Sequence, residues 1–433
     1  MKKILCLLLA VLLLCGCAPT DGDTAAESTF EVSQPVINTA ETGTDEEILQ
    51  KRRDIVEAEM RRITSTLWTP SEDIVYTLNS KSMGIEMDLQ TDPAKVITLK
   101  AGRIYQGLPY THGSGSGYSF FSLASGQDEN GVYTISGLDT QRLSGNTSTR
   151  DMCRSRLGND CADAVFWSWA QVSSSIKFEL TNFMTEYYGC LKVGDYDCDV
   201  VKYTSSTKDI CKDNGDQRMY KAYSQLQKGD AMVLFTDGSG GHTVMVTDVH
   251  IEEADGVIDG ANSYVTILEQ TSGNLKKEKT YFNESLGQEV YIACGVDVQW
   301  SFETIFGKGY LPVTCKELVD PSPRPEESLK DSVTTPTVEN ILGGTLESNY
   351  RISSITATVT DSKGKTVQQA TCYGRQEEMF AFNVARITNK QEQAVMDGSV
   401  DLDALSPGSY HCTLTCRLST GREMTFRELD FTV

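Results

Sequence analysis

Two residues of this 433-residue chain have the type and the setting for covalent chemistry, Cys161 and His242. Cys161 lies in LGNDCADAVFWSWAQV, where a polar Gly-Asn-Asp runs into an apolar, aromatic stretch. The spacing predicts a helix over 160–175, with Ala162, Val165, Phe166, Trp169 and Val172 on one face. A cysteine at the first turn of a helix faces unpaired backbone N–H groups and the positive end of the dipole. Both favour the thiolate, which is the useful nucleophile. The same N–H groups can cradle an oxyanion. The polar approach admits solvent, and the apolar face behind it anchors the sulfur.

A general base must come from a short list, because the chain has four histidines: His112, His242, His250 and His411. His242 opens the apolar stretch GGHTVMVTDV, behind the run Gly-Ser-Gly-Gly. Its imidazole therefore stands at the end of a rigid element, beside a loop without bulky side chains. Pairing the expected strands 242–251 and 264–269 across the EADGVIDG turn puts the cross-strand neighbour of His242 near position 270. Either Glu269 or Gln270 could accept from the imidazole N–H there and fix its tautomer. Alternation points the two to opposite faces, so one alone can serve, and Glu269 is narrowly preferred. Asp248 and His250 share the strand with His242 and are worse placed.

The elements that must hold these residues follow from periodicity. TDEEILQKRRDIVEAEMRRITSTLW reads as a helix, with Ile48, Ile55, Met60 and Ile63 at helical spacing and acids ahead of arginines. Strands are expected over 231–235, 242–251 and 264–269, and a further strand and short helix in YIACGVDVQWSFETIFGKGYLPVT. The Pro-rich DPSPRPEESLKDSVTTPT (320–337) reads as a linker. Residues 338–433 alternate apolar and polar around the hairpin turns DSKGK and STGRE, the pattern of an all-β, immunoglobulin-like sandwich. The expected organisation is thus a leader over 1–17, a flexible tether over 18–44, an α+β domain over 45–319, the linker, and the β domain.

Lys2, Lys3 and the apolar run 4–14 form a secretory signal peptide, too short for a stable membrane span. The LCGC that follows resembles the lipobox of bacterial lipoproteins, which implies cleavage before Cys17 and lipidation of that residue. The mature chain is then expected outside the cytoplasm, anchored to the cell membrane through its lipid. A net charge of −21 repels phosphates, so nucleic acid is not an expected partner. Of thirteen cysteines, Cys6 and Cys15 leave with the leader and Cys17 takes the lipid. Pairing among Cys190, Cys198 and Cys211, or of Cys372 with Cys412 or Cys416, is open, as is a chain of mostly reduced thiols. No spacing calls for a metal, and no cofactor is expected. His112 opens HGSGSG, which lacks the features of a phosphate-binding loop.

The order GLPY with a Gly-rich loop, DC opening an aromatic helix, KGD with a strand, GH with an apolar strand, and a strand ending in a polar residue resembles the papain-like cysteine hydrolases of the bacterial envelope. The similarity is to NlpC-type endopeptidases and to CHAP amidases, over roughly 95–269. It implies a papain-like fold and acyl transfer through a thioester on a peptidoglycan peptide or another amide. Cys161 would be the nucleophile and His242 the base. Glu269 or Gln270 would be the orienting residue, Asp160 the acid before the cysteine, and Tyr110 the tyrosine near the active site. The chain departs from the NlpC pattern at DCADA, where Ala162 replaces the usual serine, and in the insertion over 190–227. The chemistry therefore transfers better than the substrate. The alternatives are an amidase or peptidase on another substrate, or a degenerate domain in a binding or adhesion lipoprotein.

Overall fold

A computed structural model describes residues 41–77, 96–110, 118–121, 123–136, 158–176, 190–198, 206–236, 241–384, 395–398 and 400–433. The expected signal peptide and lipobox with Cys17, and His112 with its Gly-rich loop, lie outside the described residues.

The chain is α+β and rich in strands, with two large apolar cores and a small separate cluster of Ile104, Val132 and Val290. The first draws residues from Val56 to Leu318, the second from Ile341 to Leu418. Helix α1 (Asp45–Ser65) starts at a capping box: Thr44 Oγ accepts from the Glu47 N–H at 3.3 Å, and Glu47 Oε2 accepts from the Thr44 N–H at 2.8 Å. Its Val56, Met60 and Ile63 are fully buried. The same face also buries two arginines. Arg53 donates to Asp230 Oδ1 at 2.9 Å and to the carbonyls of Lys228 and Leu318, so its charge is paired and its fork satisfied.

Helix α2 (Cys161–Trp169) is buried along its whole length. Burying Phe166, Trp167 and Trp169 contributes on the order of 2–3 kcal/mol each. Trp169 Nε1 donates to Gly229 O at 2.8 Å, which satisfies its one polar atom. The helix is shorter than the expected 160–175. Beyond Trp169 the backbone bonds run on as turns to Ser173, whose Oγ then accepts from the N–H groups of Ser175 and Ile176 in place of helical carbonyls.

Beside α2 lies an antiparallel sheet of six strands: β1 (Cys190–Lys192), β2 (Ala231–Phe235), β3 (Gly241–His250), β4 (Tyr264–Gln270), β5 (Cys294–Ser301) and β6 (Leu311–Cys315). The spatial order is β5-β4-β3-β2-β6-β1. Tyr264 pairs with His250, and a register shift falls between Thr266 and Ile267. A second, mixed six-stranded sheet is built from Leu67–Pro70, Ile104–Gln106, Ala124–Gln127, Tyr133–Ile135, Thr280–Asn283 and Gln288–Ile292.

The C-terminal strands are β7 (Leu329–Asp331), β8 (Gly343–Asp361), β9 (Thr366–Asn383), β10 (Val395–Gly398), β11 (Ser409–Leu418) and β12 (Glu423–Thr432). They hydrogen-bond as one sheet, in the order β10-β9-β8-β11-β12 with β7 on β8, rather than as the two separate sheets of the expected sandwich. The reason is the length of β8 and β9. They run through register shifts near Ile352, so β7 pairs with the first part of β8 and β11 with the second.

The segments expected to be tether and linker are partly docked. Glu41 forms ion pairs with both Arg52 and Arg324. Arg52 also donates to the carbonyls of Glu317, Asp320 and Ser322, so the start of the 320–337 segment lies along α1. Ser419 Oγ, just after β11, donates to Ala170 O at 2.7 Å, which ties the C-terminal sheet to the end of α2.

Candidate active site

Asp160 caps α2. Its Oδ1 accepts from the N–H groups of Ala162 and Asp163, each at 2.9 Å. The cap explains why the helix begins at Cys161. It also corrects the expectation that several first-turn donors lie open around the sulfur. Asp160 takes two of them, and the N–H of Cys161 itself is the first-turn donor it does not take. Cys161 is 7% exposed, so the sulfur is held at the edge of the core.

His242 is the second residue of β3 and lies opposite Leu234 of β2. Its Nε2 is 2.8 Å from Glu269 Oε1. This leaves Nδ1 for an interaction with Cys161, whose charge is the largest influence raising the imidazole pKa. Burial alone would lower the imidazole pKa. The negative charge of Cys161 and the bond to Glu269 outweigh it and raise the pKa to about 10.

Glu269 and Gln270 part company at this point. Beyond the register shift, Leu268 pairs with Met245, and the Glu269 side chain reaches His242. A side chain in place of Gly295, its partner on β5, would come within 3.0 Å of Glu269 Oε2. Gln270 is fully buried on the other face. Its Nε2 donates to Leu108 O at 3.0 Å and to Asn159 Oδ1 at 2.9 Å, and its Oε1 accepts from Cys294 Sγ at 3.2 Å. It knits the GLPY segment to the residues just before Cys161.

Tyr110 forms an isolated bridge to Asn159, and its hydroxyl interacts electrostatically with Cys161. Burial pushes the phenol well up, and the negative charge of Cys161 pushes it further, so it stays neutral. The close approach of this segment requires glycine at 158, since a Cβ there would fall 2.0 Å from Pro109 O.

The sequence reading missed Asn159 as an anchor and Tyr310 as a wall. Tyr310 follows the helix Phe302–Lys308, and its ring meets His242 edge-on, with centroids 6.5 Å apart. Trp300 packs on Tyr310 at 5.3 Å, and Lys308 Nζ lies 4.1 Å above the Trp300 ring. Nothing local marks Tyr310 apart from other aromatics beside apolar strands. Asn159 was visible as the centre of Gly-Asn-Asp, but its bond to Gln270 is long-range.

Of the residues singled out by sequence, Cys161, His242, Glu269, Tyr110 and Asp160 come together, while Gln270 lies behind them. Among the described residues no group of three or more His, Cys, Asp and Glu converges to hold a metal ion. The arrangement defines a class by its chemistry: a thiol, an imidazole and a carboxylate in series, able to carry out nucleophilic acyl transfer. No known family matches the chain, and no curated protein matches it.

Proposed function

We propose that this chain is a lipid-anchored, extracytoplasmic cysteine hydrolase of papain-like fold that cleaves an amide bond, with a peptidoglycan peptide as substrate, followed by an all-β module. The observation that carries the reading is the series Cys161, His242, Glu269, with Nε2 of the ring bonded to the carboxylate at 2.8 Å and the other nitrogen left for the thiol. The cysteine at a helix N-terminus and the histidine on an antiparallel strand support the papain-like assignment.

In this mechanism Cys161 Sγ attacks the carbonyl carbon. The developing oxyanion is met by the Cys161 N–H. Tyr110 stabilises the thiolate before attack. His242 delivers its proton to the leaving amine, forming the thioester, and then takes a proton from the water that hydrolyses it. Glu269 holds the ring in place and offsets the charge of the imidazolium. Envelope placement rests on the leader and on Cys17.

The test incubates purified protein lacking its first 17 residues with isolated peptidoglycan, beside Cys161→Ala, and reads released fragments by mass spectrometry. New peptide ends or free amines that disappear in Cys161→Ala support the reading and name the bond. No release from several wall types, together with slow alkylation of Cys161 at pH 6–7, would overturn it in favour of a binding lipoprotein.

A further inference from the structure

Nine cysteines fall among the described residues, and all nine are thiols. Most are kept apart by the ladders. Cys372 and Cys416 both face Ile355, one from each side of β8, so two strand spacings separate them, roughly 9–10 Å. Cys412 faces Val359 and Leu429. Cys211 contacts Tyr310 O at 3.5 Å and Tyr223 Oη at 3.8 Å.

Cys190 and Cys315 differ. They stand directly opposite each other where β1 meets β6, in antiparallel register. Val193 N–H donates to Pro312 O at 3.1 Å, which makes 312 and 193 a hydrogen-bonded pair. Alternation along the ladder then makes 314 and 191 hydrogen-bonded, and 315 and 190 a non-hydrogen-bonded pair, the kind in which facing side chains come closest. The Cα separation of such a pair, about 4.5 Å, falls within the range that a disulfide bridges. Both side chains lie on one face of the sheet and are buried, Cys190 at 2% exposure and Cys315 at 0%.

We infer that Cys190 and Cys315 are a site for a cross-strand disulfide, closed by thiol–disulfide exchange with a disulfide-bearing oxidant such as oxidised glutathione or an exported dithiol oxidase. One protein thiolate attacks the donor disulfide, giving a mixed disulfide and one donor thiol. The second protein thiolate attacks the protein sulfur of that mixed disulfide, forms the Cys190–Cys315 bond and expels the second donor thiol. Two electrons pass to the donor, and the two protons lost by the protein end on the donor thiols. Because both sulfurs are buried in the folded sheet, exchange precedes the docking of β1. The bond would pin a three-residue edge strand to the sheet that carries His242 and Glu269, and close a loop containing both. Cys161, on α2, lies outside this loop and stays a thiol. The inference stands whether or not the chain is a hydrolase.

The test refolds the full chain from denaturant in a mixture of oxidised and reduced glutathione, blocks free thiols, and digests it without reduction. Mass spectrometry should find peptides joined through Cys190 and Cys315 that separate on reduction. Reduction should also lower the melting temperature of the wild type by roughly 5–15 °C, and leave that of the Cys190→Ser/Cys315→Ser variant unchanged. Alkylation of both residues after oxidative refolding, or their linkage to Cys198 or Cys211, would overturn the inference. Should the double variant fail to fold, the wild-type peptide map decides alone.

Discussion

His242 and His411 sit in matching local settings with different surroundings. Each lies on an antiparallel strand, each is 2.8 Å from a carboxylate oxygen, and each belongs to a sheet that carries cysteines. The cysteine beside His411 is its chain neighbour, Cys412. Strand alternation sends Cys412 into the second core, where it is fully buried, while His411 and Asp430 face solvent. The cysteine of His242 comes from α2, which is packed against the sheet so that thiol and imidazole meet. Adjacency along a strand separates the two groups, and only the crossing of distant elements joins them. A short His–carboxylate distance is therefore no sign of function by itself. Burial beside a thiol makes the difference.

The sharpest way to break this comparison is to remove each cysteine in turn. Cys161→Ala should cut turnover by about 10⁴-fold or more, because the covalent route is lost. Cys412→Ala should leave kcat/KM within about twofold and act on stability alone. Equal losses from both, measured on one amide substrate, would erase the distinction. Next in size is Glu269→Gln, which keeps the shape and removes the charge facing His242. A loss of about 10²–10⁴ in kcat is expected, with Asp430→Asn silent in the same assay.

The pH dependence sharpens the contrast. The pKa of His242 is raised to about 10 from the ordinary 6.5. Its contribution to stability is therefore complete below about pH 6.5 and is lost as pH rises through about 10. Activity should likewise hold through neutral pH and fall as the imidazolium loses its proton near that value. An NMR titration of the ring should show the midpoint fall in Cys161→Ala, since the thiolate charge is one of its causes. An unmoved midpoint would mean that the two groups are not coupled. Smaller still is Gln270→Ala, expected to cost about 1–3 kcal/mol in urea unfolding by leaving the buried Asn159 Oδ1 without its donor. The smallest effect should come from His411→Ala, within about 0.5 kcal/mol, as for an exposed ion pair.

Much of the scaffold was legible because it depends on short-range pattern. The strand over 231–235 follows its apolar run, β3 and β4 lie within a residue of their expected bounds, and α1 starts where Thr44 and Glu47 spell a capping box. The end of α2 was not legible, because serine side chains beyond Trp169 offer the backbone a competing set of bonds. The choice between Glu269 and Gln270 was also hidden. Either could face His242 until the bulge between Thr266 and Ile267 sets the register. Tyr310, Asn159 and the docking of Glu41 between Arg52 and Arg324 lie at long sequence separation and leave no local trace.

By itself the sequence determined the reactive groups and their carriers. A cysteine in the first turn starts a helix, a histidine starts a strand, and two polar residues end the strand that returns beside it. Each of these follows from the period of a helix or strand and from side-chain chemistry within a few residues. The tertiary structure decided which of Glu269 and Gln270 meets the ring, which ring nitrogen is left for the sulfur, how many N–H groups stay open, and which cysteines stand opposite each other. Those are matters of register and of packing between elements far apart in the chain, where the energies of many segments are settled together rather than by any one of them.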